Sequence, residues 1–295
     1  INPQFDRAML FTDDIACVSV DGKYGYIDKE GKYLINPTYK NATYFVEGLA
    51  CVVLENGYPS YINKKGEIQF TLNNAEKCRV FSEGLAAVLI KNKWGYIDDD
   101  GKIVIQPQFE SVSDFSNGFA VFTKEVKGKE LKGYINKKGE IVINPQFDEA
   151  YAFSENLGLI KMNDKWGYID EKGKIVINPQ FEDANLFSEG LSLIKQGENY
   201  GYIDEKGKIV INPQFEDAGY FQEGLASIQS SDDKYGFINK DGKFEINPQF
   251  ESAGNFNQGI AYIKIGEKYG FIDKTGQIRI NPQFDDIFGW LTNNS

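Results

Sequence analysis

The chain has 295 residues, 32 Lys and Arg against 43 Asp and Glu, and a formal net charge of −11. It contains no histidine, which removes the commonest general base, the commonest metal ligand and the His-centred triads. The acidic balance argues against nucleic acid and anionic membranes as partners, because both are polyanions. The longest apolar runs, such as Leu85 to Ile90, fall far short of the roughly 20 residues of a membrane-spanning helix.

The sequence repeats itself from its first residue. Ile-Asn-Pro-Gln-Phe or a close variant begins at Ile1, Ile35, Ile105, Ile143, Ile177, Ile211, Ile246 and Ile280, with a degenerate copy near Phe70. Because the chain opens on an element that recurs inside it, the natural protein is expected to extend further toward the N-terminus, where an export signal would lie. A second marker is a glycine at Gly31, Gly66, Gly101, Gly139, Gly173, Gly207, Gly242 and Gly276, at intervals of 34 to 38 residues. Eight units of one length mean one repeat architecture, read as a single repeat domain over residues 1–295 with a partial repeat at the N-terminus.

Within a unit the elements follow in a fixed order. In the third, a leading strand (Leu85 to Ile90) turns at Lys91-Asn92-Lys93 into a middle strand, Trp94-Gly95-Tyr96-Ile97-Asp98. The chain turns again at Asp98-Asp99-Asp100-Gly101 into a closing strand, Lys102-Ile103-Val104-Ile105. Gln106-Pro107 is expected to end that strand, because proline cannot donate to the ladder. β-Branched and aromatic residues at close turn spacing favour strands, and no segment sustains a 3.6-residue period.

The turn chemistry is consistent from copy to copy. The second hairpin starts with Asp28, Asn63, Asp98, Asn136, Asp170, Asp204, Asn239 or Asp273 and ends three residues later on the marker glycine. The first side chain caps the turn and the glycine supplies the left-handed residue. A third marker precedes the leading strand: Gly48, Gly84, Gly118, Gly190, Gly224 and Gly259, replaced by Asp14 and Asn156 in two copies. Asp and Asn best tolerate the left-handed region, so this too is read as a positive-φ site.

The strands are apolar on both faces, as where Leu85, Ala87 and Leu89 oppose Ala86, Val88 and Ile90, or Ile103 and Ile105 oppose Val104. Such a sheet needs a layer on each side, and repetition supplies it. The position of Ala86 is small in every copy (Ala16, Ala50, Ala86, Ala120, Gly158, Ser192, Ala226, Ala261), which marks a crowded approach between neighbouring sheets. The connector, Phe109 to Asn117 in this unit, must cross the sheet and is expected to form a short fourth strand. Four antiparallel strands per unit describe a propeller blade. The expected fold is therefore all-β, eight tandem antiparallel meanders of about 35 residues forming a β-propeller. An open hairpin solenoid is the alternative, since Ile1 to Phe5 and Ile280 to Phe284 both carry the closing strand.

Lys93-Trp94-Gly95-Tyr96-Ile97-Asp98, followed by Gly-Lys-Ile-Val-Ile, Pro-x-Phe and Phe-Ser-x-Gly, resembles the bacterial WG (KWG) repeat. The aromatic–glycine pair recurs as Tyr24-Gly25, Trp94-Gly95, Trp166-Gly167, Tyr200-Gly201, Tyr235-Gly236 and Tyr269-Gly270. The second unit departs at Pro59-Ser60, and the fourth keeps only the glycine of Lys132-Gly133. The resemblance implies a bacterial repeat protein, exported or envelope-associated, with no established enzymatic activity and no catalytic residues to carry over.

The chemistry left is that of binding. No glycine-rich phosphate loop and no Cys/His metal spacing exists, so neither cofactor nor metal is expected and the chain is read as not an enzyme. The residue after Pro-Gln-Phe is acidic in seven copies: Asp6, Glu110, Asp148, Glu182, Glu216, Glu251 and Asp285. An acidic stripe would suit Ca²⁺ or a basic partner; the plainer reading is solubility and protection of sheet edges. Trp94 and Trp166 could stack on sugars or peptide side chains, or pack between units. The irregular second unit (Tyr58 to Asn74) and the lengthened hairpin of the fourth (Lys124 to Lys132) are further places for a site. Cys17, Cys51 and Cys78 are read as small hydrophobes, with a Cys17–Cys51 bridge between neighbouring units conceivable. The expected function is a monomeric interaction module for a protein, peptide or glycan, without nucleic acid or membrane insertion. A structural envelope spacer is the alternative.

Overall fold

A computed structural model describes residues 4–287. These form eight four-stranded antiparallel sheets, each in the order connector, leading, middle, closing strand. In the third sheet the strands are Lys77–Ser82, Leu85–Ile90, Lys93–Ile97 and Ile103–Phe109. The all-β, blade-type fold read from the repeats is thus observed, and the connector does form the fourth strand. The chain divides into two compact units, Ile1–Phe147 and Asp148–Ser295, each carrying four sheets. Of the opening Ile1 to Phe5 segment, residues 1–3 lie outside the described residues, and the first strand begins at Arg7.

The turn residues behave as their chemistry requires. All eight marker glycines have φ between 77° and 84°. The side chain that opens each turn accepts two backbone amides, as when Asp98 Oδ1 takes Asp100 N at 3.2 Å and Lys102 N at 2.8 Å. Asp14 and Asn156 adopt φ of 66° and 69°, matching the glycines they replace. The lengthened hairpin of the fourth sheet closes on Lys127-Gly128, both at positive φ, the geometry of a two-residue hairpin turn.

Two expectations about the closing strand are corrected. The strand does not stop at Gln106-Pro107 but continues to Phe109. The middle strand advances from Trp94 to Tyr96 while its partner advances from Phe109 to Ile105, so the extra residues form a bulge that contains Pro107. A bulge at a sheet edge needs no N–H at that point, which is why proline is tolerated. Nor are both faces of the closing strand covered. Ile105 and Phe109 are buried, but Ile103 and Val104 remain about 40% exposed, because no fifth strand lies beyond them.

The bulge explains the glycine of the aromatic–glycine pair. A Cβ on Gly95 would collide with the carbonyl oxygen of Ile105 and stand 2.7 Å from the nitrogen of Pro107. In the second sheet the proline and the glycine are lost together. Ser60 there faces Thr71 in plain register, their hydroxyls 2.9 Å apart. Glycine, bulge and proline thus form one device, internal to each of the seven sheets that carry it.

Sheets are joined by side chains that reach forward to the next. In the first unit, Tyr26, Tyr61 and Tyr96 are fully buried and donate to the carbonyls of Thr43, Arg79 and Ser113 at 2.5–2.8 Å. In the second unit, Tyr168 and Tyr202 donate to Asn185 and Gly219. Each ring packs on the next connector's phenylalanine, as Tyr96 does on Phe115 and Tyr202 on Phe221, and against the small residue of the next leading strand, such as Ala120 or Ala226. A glutamate relay runs alongside. Glu47 accepts the amide of Gly84, and Glu83 that of Gly118. In the second unit Glu155, Glu189 and Glu223 accept those of Gly190, Gly224 and Gly259, all at 2.9–3.0 Å.

The cysteines also depart from expectation. Cys17 is buried and free, but Cys51 and Cys78 form a disulfide between the second and third sheets, their Cα atoms 6.5 Å apart. Cys17 and Cys51 occupy equivalent places in successive leading strands and face the same way, so they do not meet. Cys78 lies on the connector strand of the third sheet, which packs on the leading strand of the second.

Three outcomes follow. Gly95→Ala should cost about 1–3 kcal/mol in denaturant unfolding, since the added methyl meets backbone; an unchanged midpoint would break the link between glycine and bulge. Reducing the Cys51–Cys78 bridge should lower stability by about 2–4 kcal/mol, and Cys17→Ala should leave that difference intact. Burial works against ionisation of Glu83 and Glu223, yet the hydrogen bonds from Lys137 and Gly118, and from Lys274 and Gly259, hold both carboxyls below their usual 4.5. A depressed pKa stabilises above the unfolded value and is lost as pH falls through the folded one. The melting temperature should therefore fall on acidification below pH 4.5, and Glu83→Gln with Glu223→Gln should flatten that fall.

Candidate functional site

The residues singled out from the sequence are largely occupied by the protein itself. Trp94 is half-buried, with the Arg79 guanidinium 4.5 Å above its ring, and Arg79 in turn donates to the Val112 carbonyl. Trp166 packs against Tyr151 at 5.8 Å and carries the Lys161 ammonium at 5.6 Å. Both rings seal junctions between strands. Among the acids, Glu110 pairs with Lys93 and Asp285 with Lys268. Glu182 accepts from Lys165 at 2.7 Å, a bond that holds its carboxyl below the usual range. Asp148 accepts the amide of Asn163 at 2.8 Å, and Glu251 that of Gly266 at 3.1 Å. Glu216 stands exposed after its closing strand. An acid follows six of the eight closing strands, and five of those six, all but Glu216, bind a nearby hairpin. Among the described residues no three His, Cys, Asp or Glu side chains converge as a metal site.

The irregular place lies elsewhere, between the seventh and eighth sheets, and comparison of the repeats exposes it. The residue after the small position of the leading strand is Cys17, Cys51, Ala87, Val121, Leu159 and Leu193 in six copies, but Ser227 and Tyr262 in the last two. The connector position held by Asn185 in the sixth sheet is Gly219 and then Gly254. The next connector position is exposed in Tyr44 and Leu186, yet Asn255 there is only 5% exposed.

These changes fit one another. With no side chain on Gly219, the Asn255 carboxamide lies over it; a Cβ there would meet Asn255 Oδ1 and sit 2.7 Å from Ser227 Oγ. Room left by Gly254 is filled by the Tyr262 ring. Together they line a cleft of about 330 Å³ with Asp217, Tyr235 and Ser252. A second compartment of about 630 Å³, lined mainly by the connectors of the sixth and seventh sheets, shares Ala218, Gly219 and Asn255 with the first.

The chemistry of the cleft is that of acceptors and aromatic rings. Tyr235 donates its hydroxyl to Asp217 Oδ2 at 2.7 Å, and Ala218 N donates to Oδ1 at 2.9 Å. Burial, followed by the bond to Asp217 and its charge, pushes the Tyr235 phenol up; burial does the same for Tyr262, so both remain neutral hydroxyls. Asn255 Oδ1 is buried with no hydrogen-bond partner, an arrangement that ordinarily costs about 1–3 kcal/mol. Neither compartment is lined by Lys or Arg, and the lining holds a single carboxylate. The geometry equips the cleft to hold a small polar group.

Sequence reasoning missed Asp217, Ser227, Tyr235, Asn255 and Tyr262 because it weighed irregular loops and conspicuous tryptophans. The available signal was the repeat position that turns from apolar residues to Ser227 and Tyr262.

Comparison with known proteins agrees with the repeat and the fold. No curated protein matches the sequence. Among solved structures, a eukaryotic initiation factor is similar with a TM-score of 0.66 at 11% identity, over 97% of this chain and 89% of that one. The likeness shows a shared β-propeller-like fold and nothing of activity. BamB from Moraxella catarrhalis matches at a TM-score of 0.49 and 8% identity, over 92% of this chain and 94% of that one. The family described as WG containing repeat matches nine segments: residues 1–24, 24–58, 76–94, 94–127, 133–166, 166–200, 200–235, 235–269 and 269–294. Its gaps fall where Pro59-Ser60 replaces the aromatic–glycine pair and where the fourth sheet's hairpin is lengthened. With bulge glycines, turn signature and family match all recurring along its length, the chain belongs to the WG-repeat family.

Proposed function

We propose that this chain is a noncatalytic β-repeat scaffold that binds a protein, peptide or glycan through the cleft between its seventh and eighth sheets. A β-repeat domain fits an interaction module in general; the choice of this cleft rests on one observation. Where the other repeats cover their leading strands with apolar side chains, Ser227 and Tyr262 place hydroxyls, beside a buried amide oxygen without a partner. A bare spacer gains nothing from such a departure, because each polar substitution gives up apolar burial. The lone carboxylate of the lining and the absence of histidine from the sequence favour binding over acid–base catalysis.

The disulfide supports an exported or envelope-associated protein, since such bonds persist in oxidising compartments. No helix among the described residues is long and apolar enough to cross a membrane. The reading includes a monomer, no membrane insertion and, with a net charge of −11, no nucleic-acid partner.

Peptide and glycan arrays probed with the full chain and with Ser227→Leu test the reading. Leucine is what the fifth and sixth sheets carry at that position, so the variant should fold while closing the cleft. Array binding should weaken by about tenfold, the loss expected when a ligand's hydrogen bond to the Ser227 hydroxyl is removed. Binding unchanged in Ser227→Leu would place the site elsewhere.

A further inference from the structure

The middle-strand aromatics of the second unit point to the ligand's chemistry. In three of its sheets a lysine of the leading strand covers the ring. Lys161 lies 5.6 Å from Trp166, Lys195 lies 5.2 Å from Tyr200, and Lys264 lies 5.5 Å from Tyr269. The seventh sheet breaks the pattern. Gln229 stands at the lysine position and turns to Asp233, with Nε2 3.3 Å from Oδ1. Tyr235, the ring left without that lysine, is the one that lines the cleft.

We infer that the cleft takes a protonated primary amine, the ammonium of a lysine side chain on a peptide partner, in place of the lysine that Gln229 has displaced. The inference rests on the cleft being the binding site. An ammonium offers three donors and no acceptor, and the cleft offers the reverse. Each Asp217 oxygen accepts a single hydrogen bond, which leaves lone pairs free. Asn255 Oδ1 accepts none. The rings of Tyr235 and Tyr262 add the attraction of their faces for a cation. A volume of about 330 Å³ admits a lysine side chain, and no cation of the protein lines the cleft to repel it.

The test is a nuclear magnetic resonance titration of the full chain with acetyl-Gly-Lys-Gly-amide and with the same peptide acetylated at the lysine Nε. The free-amine peptide should bind about tenfold or more tightly than its acetylated twin, as loss of a charge-assisted hydrogen bond implies. Asp217→Asn should weaken it comparably. Gln229→Lys, which restores the residue that the sister sheets tolerate, should compete from within and weaken it too. Equal binding of the two peptides, with both lost in Ser227→Leu, would overturn the ammonium inference and leave the cleft reading standing. No binding, or binding indifferent to Ser227→Leu, would overturn the inference, the latter together with the cleft.

Discussion

No sheet of this protein can bury its own apolar surface. Its leading and middle strands are greasy on both faces, so each sheet is completed only by its neighbours within the unit. The contact that achieves this is a buried tyrosine, or phenylalanine in Phe237, pressed on the next connector's phenylalanine and on a residue with almost no side chain. The hydroxyl fixes what hydrophobicity leaves free. Burial is indifferent to sliding, whereas a phenol at 2.5–2.8 Å from one carbonyl is not. The glutamate relay adds a second, directional bond at five of these junctions.

A separate requirement acts inside each sheet. The closing strand carries extra residues, and the middle strand accepts the resulting bulge only by giving up a side chain opposite it. The aromatic before that glycine lies half-buried beside the bulge, and in Trp94, Trp166, Tyr200 and Tyr269 its face is covered by a cation of the same chain. The family's namesake pair is in this sense a packing rule, and that rule accounts for Trp94 and Trp166 without a ligand.

Much of this was legible because the sequence carries eight versions of one experiment. Asp98 and Gly101 announce their turn through side-chain acceptance and positive φ, both local properties. The small residue at Ala86 announces crowding, since only close approach would forbid larger side chains eight times over. What escaped was set by partners distant in sequence. Pro107 reads as a strand end until the bulge opposite Gly95 is seen. Cys78 cannot be matched to Cys51 until the connector is known to cross a neighbouring sheet. The cleft escaped for a further reason. Ser227, Tyr262 and Gly219 are unremarkable one at a time, and only their meeting around Asn255 gives them meaning.

The forward-reaching contacts bear on how such a chain can change its length. Within each unit every joint repeats nearly the same donors and acceptors, so excising or duplicating one complete copy in the gene would rebuild the joint it disturbed. Slippage by whole copies is thereby harmless to folding. The joint at Gly219 and Asn255 is the exception, because its two sides were altered to suit one another and no other copy can stand in for either. The seventh and eighth copies are therefore tied as a pair in inheritance, while those around them are free to come and go.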